Sequence, residues 1–320
     1  MSKSQEKKKG GKKKWIVIGV FAVIVIASAI GGNNDKPKEE VKKVTTSTSK
    51  STSQPENQAA ATNSDSISDA EKEATASIEE QVLVEQDGIK ITAKDITYDS
   101  SFMGSSLNLT IENSSDKVMT VQARDVSVNG YMLNPIMSTD IAPGKTANDD
   151  ILFLSSELEE NGIETIANIE LKFTAFVSDN FENTFTTDTI RIETSSSGSE
   201  GTGHPADAQL AYENSGISIY YKEISDADWL GTGVKVFVEN NSDQAVTIQT
   251  RDMSVNGYMI DGIFSCDVMP GKAANDSITL LQSYLDENGI ESIDNVEVKF
   301  VIMNKDTFSE IATSDPITLS

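Results

Sequence analysis

The sequence predicts an all-β fold: two tandem antiparallel β-sandwiches of immunoglobulin-like shape, each with one short helix, placed after an N-terminal transmembrane helix and a disordered stalk. Three observations predict it. A stretch beginning Arg124-Asp125-Val126-Ser127-Val128-Asn129-Gly130-Tyr131-Met132 returns as Arg251-Asp252-Met253-Ser254-Val255-Asn256-Gly257-Tyr258-Met259. The offset, 251 − 124 = 127, holds without a gap to Phe173 and Phe300, with 31 identities over those 50 positions. Such self-similarity marks a duplicated domain. Within each copy, apolar and polar residues alternate in short runs broken by turn residues, as half-buried strands require. Ahead of both copies, residues 15–32 carry no charge.

The chain opens with a basic tail, residues 1–14, which includes Lys7, Lys8, Lys9, Lys12, Lys13 and Lys14. The uncharged run that follows would reach roughly 27 Å as a helix, enough to cross a thin bilayer. Lysines stay on the cytoplasmic side of such a span, which predicts a cytoplasmic N-terminus and extracellular C-terminal domains. The alternative is a cleaved signal peptide, because Ala27-Ser28-Ala29 fits the small-x-small cleavage pattern. The run is long for a signal sequence and ends in Ile30, so the anchor is the preferred reading. Residues 33–80 are rich in Ser, Thr, Asn and Gln. So little apolar material cannot offset the entropy of ordering, which predicts a disordered stalk.

The first repeat is placed at 81–194, a linker at 195–207 and the second repeat at 208–320. The linker is Ser- and Gly-rich, and the one histidine, His204, is expected there as a solvated residue. Ile89-Lys90-Ile91-Thr92-Ala93 and Leu107-Asn108-Leu109-Thr110-Ile111 alternate cleanly, as do Ile217 to Tyr221 and Val234 to Val238 in the second copy. Asn129-Gly130 and Asn256-Gly257 signal type I′ hairpins, whose central residues both need positive φ. Pro143-Gly144 and Pro270-Gly271 mark the next turns. Ser156 to Gly162 and Ser283 to Gly289 read as short helices, with serine at the N-cap and glycine past the end. Strands at Ile169–Phe173 and Val296–Phe300, with final strands at Thr189–Glu193 and Pro316–Leu319, close each copy. The total is seven or eight strands in about 110 residues, the density of an immunoglobulin-type sandwich.

The plan of basic tail, single span, Ser/Thr stalk and β-domains with an Asn-Gly-Tyr…Pro-Gly-Lys core resembles exported proteins of Gram-positive bacteria. Residues 82–194 and 209–320 resemble bacterial Ig-like sandwiches of the immunoprotective extracellular protein type. The resemblance implies a cell-surface location and a fold; it carries over no functional residue.

Charge narrows the function. Residues 1–43 hold 11 Lys and 4 acids, a balance of +7, so the rest of the chain carries −24 − 7 = −31. An ectodomain so acidic repels nucleic acid, which binds clustered Lys and Arg. Cys266 is the only cysteine, so neither an internal disulfide nor a thiolate metal site can form. It aligns with Thr139 and is expected to be a small, half-buried residue.

No cofactor is expected and none of the usual catalytic arrangements appears. Acyl transfer needs a base beside its nucleophile, usually His, and neither repeat holds one. Nor is there a Gly-rich phosphate loop. The remaining site candidates are acids and amides near the Pro-Gly turns: Asp140 and Asp149, with Asn148 and Asp150, in the first repeat, and Asp267 and Asp276, with Asn275, in the second. Oxygen ligands of this kind suit a cation such as Ca²⁺, against a plain role in turns and solvation. Arg124-Asp125 and Arg251-Asp252 are expected to point to opposite faces and to hold strand register. Tyr131 and Tyr258 are expected to pack within the sheet. The sequence therefore points to a membrane-anchored, extracytoplasmic binding or structural protein of the cell envelope, with an envelope or protein ligand. The alternatives are a sensory ectodomain working through a partner membrane protein, and a secreted protein released by signal cleavage.

Overall fold

Alternating side chains make two-faced strands, and the strands of each repeat bury their apolar faces against one another. The computed structural model describes residues 76–99, 104–198, 203–225 and 230–320, all within one unit spanning Ile67–Ser320. The basic tail, the proposed span at 15–32 and the stalk up to residue 75 lie outside the described residues. No helix among the described residues is long and apolar enough to cross a membrane.

The first repeat runs β1 (Gln81–Gln86), β2 (Ile89–Asp99), β3 (Gly104–Asn113), β4 (Met119–Val128), β5 (Tyr131–Met132), β6 (Ser138–Ile141), β7 (Lys145–Leu154), α1 (Ser155–Glu160), β8 (Asn168–Val177), β9 (Glu182–Thr186) and β10 (Ile190–Glu193). The second repeats this plan with β11 (Gln209–Asn214), β12 (Ile217–Ile224), β13 (Gly231–Asn240), β14 (Val246–Val255), β15 (Tyr258–Met259), β16 (Ser265–Val268), β17 (Lys272–Leu281), α2 (Gln282–Glu287), β18 (Val296–Asn304), β19 (Glu310–Thr313) and β20 (Ile317–Leu319). The fold is all-β with two short helices, and its paired antiparallel sheets fit the immunoglobulin-like sandwich expected. Each repeat has ten strands among the described residues, more than the seven or eight expected. The extra ones are short edge pieces such as β6 and β9.

In the first repeat, β1-β2-β3-β7 form one sheet. The other has the order β10-β8-β4-β5, with β6 on β4 and β9 on β8. Leu109, Ile111 and Phe153 of one meet Val121, Leu171 and Phe173 of the other, all fully buried. The second repeat pairs β11-β12-β13-β17 with a sheet built on β14 and β18. Val236, Leu280, Ile248 and Phe300 fill its centre. Each such side chain contributes about 1.5–3 kcal/mol by leaving water.

Turn chemistry follows the sequence. Asn129 (φ 52°) and Gly130 (φ 89°) both take the positive φ of a type I′ turn, as do Asn256 (φ 51°) and Gly257 (φ 85°). Gly162 and Gly289 sit past the helix ends, each at φ near 65°. Three details differ from expectation. The serines do not cap the helices: the caps are Leu154 and Leu281, with no side-chain cap bond. The preceding strand runs straight into the helix and leaves no room for a capping turn. The polar turns after β3 and β13 bury their asparagines. Asn113 Nδ2 donates to Lys117 O at 2.8 Å and Ile141 O at 2.7 Å, and Asn240 makes the same pair of bonds. Finally, β4 carries a bulge between Arg124 and Ser127, where Asp125 takes φ 51°. The extra residue breaks the simple alternation expected of Arg124-Asp125 and re-aims the carboxylate. The bulge recurs at Asp252 (φ 49°).

Candidate functional site: the joint between the repeats

The two repeats are fused by a sheet. Strand β5, the return strand of the Asn129-Gly130 hairpin, pairs in parallel with β17, with Tyr131 opposite Ala273. The Ala273 N–H donates to Gly130 O at 3.0 Å. The result is one ten-stranded sheet with the order β10-β8-β4-β5-β17-β13-β12-β11.

Aromatic packing fills the joint. Tyr131 is 7% exposed, with its ring centroid 6.3 Å from that of Phe237. Tyr220 lies 6.2 Å from Phe237 on the other side. His204 stacks on Tyr220 at 4.4 Å, so this exposed residue covers the joint instead of standing free in a linker. The Tyr131 hydroxyl donates to Gly203 O at 3.4 Å. Phe237 and Ala273 belong to the first repeat's hydrophobic cluster, and Met132 to the second's.

Charges ring the aromatics, acids on the first repeat and lysines on the second. Lys305 Nζ lies 2.6 Å from Asp125 Oδ1, and Lys172 reaches the other oxygen of the same carboxylate at 3.0 Å. Lys272 meets Glu170 at 2.8 Å. Glu160 lies 3.9 Å from Lys222 and 3.7 Å from Lys235. Asn275 Nδ2 donates to Asn161 Oδ1 at 2.9 Å. Burial raises the Asp125 carboxyl, but the ammonium groups of Lys305 and Lys172 outweigh it and hold the pKa below the usual value. Glu170 is lowered in the same way, burial being outweighed by Lys272 and Arg191. Lys305 is pushed down by burial and up by Asp125 and Asp267, with a net rise.

A cleft of about 500 Å³ runs along this joint, lined by Asp125, Ser127, Glu170, Lys172 and Lys272 among others. Four of those five are engaged in the ion pairs above. Ser127 is 1% exposed, too deep to meet a substrate in this conformation.

The acids expected as cation ligands lie on strands, not in the loops beside the Pro-Gly turns. Asp140 of β6 accepts from Thr120 Oγ1 at 2.5 Å, as Asp267 of β16 does from Thr247. Asp149 of β7 accepts a hydrogen bond from Thr139 Oγ1 and another from the Asp150 N–H at 2.9 Å. Asp150 instead accepts from Ser106, and Asn148 from Thr110, on the adjoining strand β3. Among the described residues no group of three His, Cys, Asp or Glu side chains is placed to hold a metal ion.

The counterpart of Thr139 in the second repeat is Cys266, which is fully buried, not half-buried as expected. Burial pushes its thiol well up, with Asp276 adding to the effect. Burial also raises Asp276, against a hydrogen bond from the Ser277 N–H at 2.7 Å. A thiol so protonated is a poor nucleophile.

The joint was not foreseen, although the sequence held a signal for it. Phe237 and Tyr220 stand at outward positions of their strands, where strict alternation calls for polar residues. The first repeat obeys that rule with Thr110 and Thr92, which pair with each other as Phe237 and Tyr220 do.

No protein-family model matches the chain, and no curated protein sequence does. Among solved structures, the Salmonella enterica SafA pilin in complex with the SafB chaperone is similar over 73% of this chain and 97% of that chain, at 12% identity and a TM-score of 0.20. Red sea bream transglutaminase is similar over 70% of this chain and 30% of its own, at 8% identity and a TM-score of 0.17. Overlaps this loose do not relate the chain to the activity of either protein.

Proposed function

We propose that the chain is a non-catalytic binding or structural protein of the cell envelope, anchored by residues 15–32 with its two repeats outside. The observation that supports this most is the joint. Four charged groups that line the cleft there, Asp125, Glu170, Lys172 and Lys272, are committed to ion pairs, two of which tie one sandwich to the other. Such a device presents surfaces in a fixed relation, as a binding or spacer protein needs, and leaves little for chemistry. The uncharged run after a lysine-rich tail supports the anchor, and the acidic repeats support an exposed, soluble ectodomain.

Single-cysteine mapping tests the placement. Cys266 is buried and gives little background. Glu291→Cys, on the exposed surface of the second repeat, should react with a membrane-impermeant maleimide on intact cells. Lys3→Cys should react only after permeabilisation. Labelling of Lys3→Cys on intact cells, or none at Glu291→Cys, would refute the topology. Mature protein in the medium starting near Ile30 would replace the anchor with a cleaved signal.

A further inference from the structure

The inserting half of the joint is present on both repeats, but only the first repeat uses it. The first repeat inserts its hairpin and acids into the second. The second repeat carries the same inserting surface, and none of the described residues covers it. Tyr258 and Met259, the counterparts of Tyr131 and Met132, are 52% and 70% exposed. Asp252, Glu287 and Glu297 stand at the positions of Asp125, Glu160 and Glu170 (each 127 residues on). Asp252 already pairs with Lys299 at 2.8 Å, as Asp125 does with Lys172, and lacks only the second cation that Lys305 provides across the joint.

We propose that this Tyr258 hairpin with its acidic surround is a docking surface. The partner it fits is a β-sheet face, on another protein, that carries an adjacent pair of aromatic rings ringed by lysines. The chemistry is read from the joint itself, where the same surface is seated on Tyr220 and Phe237 among Lys222, Lys235, Lys272 and Lys305. Charge complementarity selects such a face, and the exposed tyrosine supplies the kind of aromatic anchor that dominates interface energetics. A second copy of the chain is a poor host. Its equipped face is filled by its own first repeat. Its other face has Thr92 and Thr110 in place of the aromatics, and Asn108 and Ser178 in place of two of the lysines. The proposal deepens the binding reading given above but does not depend on the anchor. Cysteine mapping therefore fails or succeeds separately from it.

The test vacates a matching face. In the detergent-solubilised full chain, Asp125→Lys with Tyr131→Ala should release the first repeat and expose Tyr220 and Phe237. Sedimentation velocity should then show a mass that at least doubles with concentration, and adding Tyr258→Ala should abolish the association. Wild type should show no association that depends on Tyr258. The converse variant builds a face on the first repeat with Thr92→Tyr, Thr110→Phe, Asn108→Lys and Ser178→Lys, and should associate in the same Tyr258-dependent way. Two folded variants that stay monomeric would overturn the proposal. Association of wild type that Tyr258→Ala removes would overturn the choice of partner, since the occupant would then be a second copy.

Discussion

The ammonium of Lys305, in the second repeat, lies 2.6 Å from the carboxylate of Asp125, in the first. That carboxylate points there because a bulge puts Asp125 at φ 51°, a backbone conformation rare outside glycine. A local irregularity in one strand thus fixes a contact between residues 180 positions apart.

This pair makes the joint sensitive to pH. Asp125 and Glu170 have folded pKa values below their unfolded ones, so their contribution is complete above about pH 4–5 and is lost as pH falls through the depressed values. Lys305 is raised above the ordinary lysine value of 10.5. Its contribution is complete below that value and is lost as pH rises through the folded pKa. Hydrogen exchange at the Ala273 amide, corrected for intrinsic rate, should therefore be slowest in the neutral range and accelerate toward both extremes. Flat protection from pH 3 to 8 would contradict it.

The two copies of one tyrosine should behave oppositely. Tyr131→Ala removes a buried ring and should cost about 3 kcal/mol in urea unfolding, with the repeats melting separately. Tyr258→Ala alters an exposed side chain and should stay within about 0.5 kcal/mol. Equal losses at both positions would mean that the joint does not depend on Tyr131.

Asn129 does more than turn the chain. Its side chain accepts from the N–H groups of Ala167 (2.8 Å) and Asn168 (3.2 Å) and donates to Thr165 O (2.7 Å), tying the hairpin to the start of β8. Alanine there would lose these bonds and would fit positive φ less well. Asn129→Ala should cost about 3 kcal/mol by the same unfolding measurement, and Asn129→Gly less, because glycine keeps the turn.

Comparison of the repeats also suggests a stabilising change. Asp149 has a hydroxyl donor in Thr139, while at the same place Asp276 has the weaker thiol donor of Cys266. Cys266→Thr should add about 1 kcal/mol at pH 7, read from the melting temperature. Asp276→Asn tests the buried charge. The folded pKa of Asp276 is raised, so its ionised form weakens the fold as pH climbs through that value. The asparagine should gain most at pH 7–8 and little at pH 4.

Local features were legible in the sequence. Asn-Gly at both hairpins, glycine after both helices and the alternation of Ile89 to Ala93 each depend on a few neighbouring residues, and all appear as read. The bulge at Asp125 was not legible, because it is a mismatch in length between β4 and β8 and belongs to neither strand alone. The helix starts were misread because Ser156 resembles a cap only if a turn precedes it, and β7 leaves none. The acids at 148–150 look like a cluster on paper. A strand turns each residue away from the next, so Asn148 and Asp150 meet β3 while Asp149 meets Thr139. The joint stays hidden in the sequence because Val234 to Val238 reads as one more alternating strand, and only the register of Phe237, at an outward position where alternation calls for a polar residue, betrays it.

Across the shared sheet, β5 and β17 are paired at one position, whereas β13 and β17 are paired at ten. Tension along the chain would not be resisted evenly by ladders so different in length. The junction would shear first and give a modest extension, with each sandwich still whole behind it. Once the load dropped, the tethered hairpin would be close enough to its seat to close the joint again.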